Sequence, residues 1–258
     1  MRLLAAAIVL TTACGRVDFA ASQRDDAASP PSSPDACSGV DVVTGRIGWW
    51  KLDEGSGTTV GDTASGNAGT LLGGVTWTTG RLGDPALEFD GVDGRVDVAG
   101  GIAYATQNAP FSFSAWFDLT DYSTTTPDIM QIHSDTASPF HVLMSSMSGY
   151  LGLSTGSGDG SWATIKTGVM PTTGTWHHVV MTYNGAGAAT MSNFSLFLDD
   201  VAQPLLVADG YATQAQQSRI GAAEDPRNNW IGAISDVRIY NRELSTIEVG
   251  TLYALQCD

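Results

Sequence analysis

The chain has 258 residues, of which 43% are hydrophobic and only 15% are charged, and it contains 30 glycines. These values exclude wholesale disorder and favour a turn-rich β-protein over a helical bundle. The formal net charge of −15 repels phosphate, so it argues against nucleic acid and anionic lipid as partners. Divalent cations and neutral polymers such as glycans remain compatible with that charge.

The N-terminus predicts an export signal. Met1 and Arg2 precede the apolar run "LLAAAIVL" at 3–10, which is too short to span a bilayer. The Ala-Cys pair that ends at Cys14 resembles a bacterial lipoprotein signal, although Thr11 stands where such signals usually carry Leu. We predict that residues 1–13 form the signal peptide and that Cys14 is lipidated, with ordinary secretion as the alternative.

The next segment predicts a tether. Residues 14–36 are rich in Ala, Ser, Asp and Pro and have almost no large apolar side chains, which is typical of a disordered linker. If Cys14 carries lipid, Cys37 and Cys257 remain, one at each boundary of the predicted domain at 37–258. They are predicted to form a disulfide that joins the two ends of the domain, or else to remain as two free thiols.

Beyond residue 37 the chain alternates apolar and polar residues with the period of β-strands. Asp199 and Asp200 predict a tight hairpin turn. The stretch 244–253 predicts the single helix, with Ser245 as N-cap and Glu248 three residues later. This pattern indicates a sandwich of two sheets. The predicted strands are 48–52, 86–89, 95–98, 111–119, 128–133, 140–144, 150–154, 162–166, 177–183, 194–200 and 231–240.

Six blocks in this order resemble bacterial laminin-G-like, concanavalin A-like jelly-roll domains. The resemblance implies an all-β jelly roll of two antiparallel sheets with one short C-terminal helix. It also implies a domain that binds sugars or proteins, sometimes with a structural calcium ion, and it does not imply an enzyme. The chain departs from the usual pattern at Asp200, where Gly is common, and at Ser235, where a second acid is common. The blocks are 48–77, 80–98, 111–117, 175–185, 197–200 and 234–244.

A calcium site is predicted from three oxygen-bearing side chains. Asp62 and Asn67 lie in a glycine-containing loop, and Asp236 lies in the last strand, which returns beside the first strand in such sandwiches. Calcium takes six to eight oxygen ligands from carboxylates, amides and carbonyls. The alternative is that Asp62 and Asn67 form Asx turns while Asp236 pairs with Arg238 or another arginine.

Sugar binding would need an exposed aromatic platform. Trp162 is the main candidate, with Tyr122 and Tyr211 behind it, although the sequence favours core packing over ligand binding even for Trp162. Trp230 is expected in the core, where the family packs an aromatic residue.

Catalysis is not expected. The stretch "EFDGVD" places Glu88, Asp90 and Asp93 at a spacing used by glycosidases of this fold, but Asp93 is shorter than the Glu required and Gly91 should turn the chain. His177 and His178 are adjacent in a strand, so they point to opposite faces and cannot readily share a metal.

The sequence therefore predicts a non-catalytic binding module of an exported bacterial lipoprotein. The expected partner is a glycan or a surface protein, and the only expected membrane contact is a lipid anchor in the cell envelope, at the outer membrane or cell surface. The alternatives are a structural envelope protein without a soluble ligand and, least favoured, a glycoside hydrolase.

Overall fold

A computed structural model describes most of the predicted domain at 37–258, which falls within one compact unit. Seventeen strands, one 3-10 turn and one α-helix are present in the described ranges. None of the helices in these ranges is long and apolar enough to cross a membrane. The described residues are 41–100, 109–122, 127–132, 143–147, 150–156, 162–186, 191–209, 217–222 and 229–255.

The strands cover most of the predicted ones and add short strands that the alternation did not predict. In chain order they are β1 (Arg46–Trp50), β2 (Thr59–Val60), β3 (Gly69–Leu72), β4 (Val75–Thr79), β5 (Pro85–Asp90), β6 (Arg95–Val98), β7 (Phe111–Leu119), β8 (Asp128–Gln131), β9 (Leu143–Met147), β10 (Tyr150–Gly156), β11 (Trp162–Thr167), β12 (Trp176–Tyr183), β13 (Phe194–Leu198), β14 (Val201–Ala202), β15 (Leu205–Asp209), β16 (Ser218–Ile220) and β17 (Ile231–Tyr240).

These strands form two antiparallel sheets. The eight-stranded sheet has the order β14-β13-β12-β7-β17-β5-β4, and β1 also pairs with β17. The nine-stranded sheet has the order β15-β11-β10-β9-β8-β16-β6-β3-β2. One cluster of buried apolar residues draws members from both sheets, so the predicted sandwich is confirmed.

Strand β7 shows how alternation produces this core. Phe113, Ala115 and Phe117 are completely buried in the cluster between the sheets. The opposite face carries Ser114 and Trp116, which are also buried. That second face is buried because a further apolar cluster covers it.

The further cluster lies between the outer face of the eight-stranded sheet and helix α1 (Thr246–Ala254). It combines Val180 and Tyr240 of the sheet with Val249 and Leu252 of the helix. Ser245 accepts a hydrogen bond from the main-chain N–H of Glu248, whose side chain reaches back to the main chain of Ser245. This capping box stabilises the first turn and confirms the predicted helix start to within two residues.

The predicted hairpin turn between β13 and β14 is also confirmed. Asp199 and Asp200 have φ values of +52° and +63°, the left-handed conformation that a two-residue type I′ turn requires at both positions. Aspartate tolerates that conformation better than most side chains because it can hydrogen-bond locally.

Candidate functional site

Asp236 lies in a β-bulge. The register between β17 and β7 shifts between Ser235 and Arg238, and Asp236 has a φ of +49°. Its main-chain N–H donates to the carbonyl of Lys51 at 3.0 Å. The bulge thus holds Asp236 beside β1, and its side chain is 2% exposed.

Buried and partly buried charged side chains and one indole surround this carboxylate. We call the carboxylate and these neighbours the Trp49 cluster: Asp41, Arg46, Trp49, Asp236 and Arg238. Trp49 Nε1 and Arg238 Nε donate to Asp236 Oδ1 at 2.6 and 2.7 Å. Asp41 accepts from Arg238 and from Arg46, each at 2.5 Å. The guanidinium carbons of Arg46 and Arg238 lie 3.9 and 4.6 Å from the centroid of the Trp49 ring.

The Trp49 cluster keeps Arg238 charged inside the protein. Burial opposes the charge, but Asp236 and Asp41 more than compensate and raise the pKa of Arg238 above its ordinary value. The pKa of Asp41 is lowered because Arg238 and Arg46 outweigh the opposing effect of burial. These contacts match the ion-pair alternative for Asp236.

Asp62 is hydrogen-bonded through both carboxylate oxygens. Oδ1 accepts from the main-chain N–H groups of Trp49, Ala64 and Ser65 at 2.9, 2.8 and 3.2 Å. Oδ2 accepts from the Ser65 hydroxyl at 2.5 Å and from the main-chain N–H of Asn67 at 3.2 Å. Asp62 therefore closes its own loop and joins that loop to β1, as the Asx-turn alternative describes.

Of the three predicted calcium ligands, Asp62 and Asn67 are joined by a main-chain hydrogen bond, whereas Asp236 is connected to Asp62 only through Trp49. Asp62 contacts the main chain of Trp49, Asp236 contacts its indole, and the side chain of Asn67 donates to Ser65 Oγ at 2.8 Å. A shared cation does not fit these contacts, because it would have to displace donors from both carboxylates and would lie beside Arg238. Within the described ranges, no group of three or more His, Cys, Asp or Glu side chains is arranged to hold a metal. The calcium site stays a prediction.

The carboxylates of the "EFDGVD" stretch have separate roles. Asp90 Oδ1 accepts from the N–H groups of residues 92, 93 and 94 at 2.9–3.2 Å, and Asp93 Oδ1 accepts from the N–H of Gly74 at 2.9 Å. Both residues thus stabilise a turn. Glu88 and Asp118 instead oppose the same residue, Ala233, from neighbouring strands. Burial raises the pKa of Glu88, and the nearby charge of Asp118 raises it further.

The adjacent histidines have separate partners, as predicted. His177 Nδ1 lies 2.7 Å from Asp199 Oδ2, and His177 Nε2 lies 2.9 Å from the Thr172 hydroxyl. His178 Nε2 lies 2.9 Å from Ser114 Oγ, and its ring stacks on Trp116 with centroids 4.8 Å apart. Complete burial, reinforced by Arg238, lowers the pKa of His178 to about 3, so this ring is neutral at physiological pH.

The predicted aromatic platform is only partly described. The Tyr122 hydroxyl donates to the carbonyl of Pro171, and its ring packs against the core cluster. Trp162 begins β11 and pairs with Gly156, but its side chain lies outside the described part of the structure, as does the whole of Tyr211. Trp230 is completely buried with its ring edge-to-face on Phe117, as expected.

The outer face of the nine-stranded sheet carries a line of polar residues that the sequence did not reveal. Thr59 pairs with Thr70, Thr70 with Asp97, and Asp97 with Arg219. We call these four residues, one from each of β2, β3, β6 and β16, the polar row. At the usual strand spacing it extends about 14 Å across the sheet. Pairing between distant strands creates the row, so no local motif could have indicated it.

Asp97 is the centre of the polar row. Arg219 Nε and Arg95 Nε both donate to Asp97 Oδ1, at 3.1 and 3.2 Å. Asp97 and Arg219 each retain 16% side-chain exposure, whereas the flanking Val96 and Val98 are buried in the core. The two threonines are exposed. The face therefore presents a carboxylate, guanidinium groups and hydroxyls in fixed positions.

The pairing continues beyond Arg219 through every remaining strand of the sheet. Gln131 pairs with Arg219 on the neighbouring strand. It is fully buried and donates from Nε2 to the carbonyl of Gln217 at 3.1 Å, so Arg219 is the last accessible polar residue on this side of the row. Positions 143, 154, 164 and 208 follow in register on β9, β10, β11 and β15. Trp162, which the sequence offers as an aromatic residue for binding a sugar, lies two positions before residue 164 on the same strand.

The two packed antiparallel sheets define a jelly-roll domain. The family model described as "Concanavalin A-like lectin/glucanases superfamily" (Laminin_G_3) matches residues 90–250. The chain therefore belongs to this laminin-G-like family, as the resemblance implied. A comparison with curated proteins gave no match.

Several solved structures share the fold. Domain 4 of AbnA, a GH43 extracellular arabinanase from Geobacillus stearothermophilus solved in complex with arabinotriose, is 19% identical with a TM-score of 0.58, covering 81% of this chain and 98% of that domain. The binding domain of Paraclostridial Mosquitocidal Protein 1 is 13% identical, with a TM-score of 0.61. The botulinum neurotoxin type G receptor binding domain is also 13% identical, with a TM-score of 0.57.

The two toxin domains are longer than the matched region. Each alignment covers 81% of this chain and about half of the toxin domain, 52% and 51% respectively. At these identities the likeness shows a shared fold. The neighbours are domains described as binding or receptor-binding domains, together with one domain of a glycoside hydrolase.

Proposed function

We propose that this chain is a non-catalytic carbohydrate-binding module and that the polar row binds the glycan. The observation that carries this proposal is the alignment of Thr59, Thr70, Asp97 and Arg219 across four hydrogen-bonded strands. A sugar chain presents many hydroxyls, each able to donate and to accept. A row that offers a carboxylate, a guanidinium and two hydroxyls can satisfy such groups in both senses.

The geometry around Asp97 supports binding without rearrangement. Arg95 and Arg219 hold the carboxylate from two sides through Oδ1, so its orientation is fixed before a ligand arrives. Pre-organised polar groups lose less conformational entropy on binding. The net charge of −15 favours a neutral glycan over an acidic one, since long-range repulsion opposes the approach of anions.

The comparisons support the class of ligand and not its identity. One structural neighbour was solved with arabinotriose bound, so neutral arabinan fragments are reasonable first probes. The absence of catalysis is proposed because Asp90 and Asp93 accept turn hydrogen bonds, which leaves Glu88 without a catalytic partner in its own motif. Trp162 is included as the aromatic residue against which a sugar ring stacks.

The location follows from the sequence prediction. We propose an exported lipoprotein, anchored through Cys14 and carrying the domain on the tether at 14–36. An anchored binding module would hold a glycan at the cell envelope. The alternative of a structural envelope protein has no soluble ligand, so a binding measurement separates the two.

The proposal is tested by isothermal titration calorimetry of the purified chain with arabinotriose and a panel of neutral oligosaccharides. Asp97→Asn should weaken binding by about tenfold, because a hydrogen bond to a charged group contributes roughly 1.5 kcal/mol or more. The matched control is Asp84→Asn, since Asp84 is exposed and lies outside the polar row. The proposal fails if no neutral oligosaccharide binds, or if Asp97→Asn binds as tightly as the control.

A further inference from the structure

A pocket of about 330 Å³ lies on the other sheet, at the side where helix α1 begins. Its walls come from β12, β13 and the segment that enters the helix, and they include Thr182, Ser195, Phe197 and Glu243. The volume lies at the small end of the range for small-molecule sites, about 300–1,000 Å³. The pocket belongs to the eight-stranded sheet and the polar row to the nine-stranded sheet, so the two sites share no strand.

One wall of the pocket is built from hydroxyls. Thr182 and Ser195 are directly paired across β12 and β13, and Ser245 and Thr246, at the start of the helix, also line the pocket. Thr182 is 1% exposed, and it is one of the residues that line the pocket. Threonine and serine hydroxyls can each donate and accept a hydrogen bond, so they can pair with the hydroxyls of a ligand in the pocket.

The floor of the pocket is apolar. Phe197 and Leu244 line it, and both also belong to the buried cluster beneath helix α1, so their positions are fixed by packing. A sugar ring has apolar C–H groups on its faces and hydroxyls around its edge. An apolar floor with hydroxyl walls therefore complements a single sugar ring.

The charge of the pocket selects among sugars. Glu243 is exposed at the rim, and no cation lines the pocket in the described region. The neighbouring Arg242 is directed elsewhere, because its guanidinium pairs with Glu248 at 2.6 and 2.9 Å and with the carbonyl of Thr44 at 2.8 Å. A carboxylate without a matching cation accepts hydrogen bonds from neutral hydroxyls and repels acidic sugars.

We infer that this pocket is a second carbohydrate site, which binds one neutral sugar ring through Thr182, Ser195 and Glu243 over the floor of Phe197. The class of ligand rests on the proposed function, whereas the location of the site does not. The protein would then bind an oligosaccharide along the polar row and a single sugar unit in the pocket.

The test is an NMR titration of the purified chain with methyl glycosides of arabinofuranose, glucose, galactose, mannose and N-acetylglucosamine, and with galacturonic acid. At least one neutral glycoside should bind, and galacturonic acid should not. Thr182→Val, which keeps the shape of the side chain, and Glu243→Gln should each weaken that binding by about two- to tenfold, the effect of one hydrogen bond. Thr76→Val, at an exposed position on β4 of the same sheet, should leave it unchanged.

Two controls separate this site from the polar row. Asp97→Asn should weaken oligosaccharide binding and leave monosaccharide binding in the pocket unchanged. If oligosaccharides bind but no methyl glycoside does, or if only Asp97→Asn weakens glycoside binding, the pocket inference is overturned while the proposed function stands. Failure of every sugar to bind overturns both. Thermal unfolding of Thr182→Val verifies its fold, and the exposed Glu243→Gln provides the second, independent variant.

Discussion

The indole N–H of Trp49 donates to Asp236 Oδ1 at 2.6 Å, although 187 residues separate the two along the chain. The same oxygen accepts from Arg238 at 2.7 Å. One carboxylate oxygen therefore joins the first strand, the bulge of the last strand and a fully buried guanidinium. The hydrogen bond also explains why an acid is tolerated in so apolar a strand.

Replacing Asp236 by Ala should strongly destabilise the fold. Arg238 is completely buried, and removing one partner of a buried ion pair typically costs about 3–5 kcal/mol because the remaining charge is left uncompensated. Asp41 still contacts Arg238, so we expect a loss near 3 kcal/mol in urea-induced unfolding. Asp84→Ala is the exposed control, and a loss below about 1 kcal/mol in Asp236→Ala would contradict the role of the pair.

The calcium prediction is tested by thermal unfolding in calcium and in excess chelator. A bound ion stabilises the native state by mass action, so its removal would lower the unfolding midpoint. Because Asp62 and Asp236 already accept protein hydrogen bonds, we expect the same midpoint in both buffers. A fall in chelator that disappears in Asp62→Ala would instead support calcium bound by Asp62, Asn67 and Asp236.

The contact between His177 and Asp199 should make stability depend on pH. The hydrogen bond that His177 donates to Asp199 raises the pKa of His177, although burial acts in the opposite direction. Burial alone would raise the pKa of Asp199. The hydrogen bonds that Asp199 accepts from His177 and from the main-chain N–H of His178 outweigh burial, so the pKa of Asp199 is lowered. The stabilisation from His177 is complete below its unfolded pKa of about 6.5 and is lost as pH rises through the folded pKa.

The protonation of Asp199 sets the lower pH limit of the stabilisation by this pair. Its contribution is present above its unfolded pKa of about 3.9 and is lost as pH falls through the lower folded pKa. The difference in midpoint between the wild type and Asp199→Asn should therefore be larger at pH 5 than at pH 8.5. Asparagine suits the left-handed turn position, and Asp200→Asn is the adjacent control. An equal difference at both pH values would show that the pair is not ionised as described.

The predicted disulfide between Cys37 and Cys257 lies outside the described residues, so it stays a prediction. Val42 and Leu255, which follow Cys37 and precede Cys257 by a few residues, belong to one buried cluster. Peptide mapping without reductant should recover a peptide that links the two cysteines. Reduction should lower stability by up to about 5 kcal/mol, the loop-entropy limit for so long a loop. Complete alkylation of both thiols in the unreduced protein would disprove the bond.

The proposed anchor depends on Cys14. Expression of the full chain in a bacterium fed with labelled palmitate should label the wild type and not Cys14→Ser, because the thiol is the predicted acceptor. Cys37→Ser is the control, since it removes a cysteine without removing that acceptor. Equal labelling of the Cys14→Ser variant would show that another residue carries the lipid, and an unlabelled wild type would favour ordinary secretion.

The sequence predicted the elements that depend on local patterns. Alternation in β7, the turn at Asp199 and the N-cap at Ser245 are each set within a few residues, and all three are confirmed. The bulge at Asp236 depends on the pairing of β17 with both β1 and β7. That pairing joins opposite ends of the chain. The sequence of β17 alone therefore could not decide whether Asp236 binds a metal or forms an ion pair.

The polar row shows the same limit for the candidate site. Asp97 looks like an ordinary outward residue of a short strand, and Arg219 lies in a three-residue strand that the alternation did not predict. Only the registers of four strands align these side chains. The pocket at Thr182 is likewise formed by the return of the chain over the sheet before helix α1, which strand periodicity does not encode.

The position of the Trp49 cluster has a mechanical consequence. Asp41 pairs with Arg238, and the carbonyl of the next residue, Val42, accepts from the hydroxyl of Tyr240 at 3.0 Å. Both partners are on β17, an interior strand of the eight-stranded sheet. A pulling force applied at the N-terminal end of the domain would thus load a buried ion pair and an interior strand together. A sheet loaded there resists unravelling better than one pulled from a free edge.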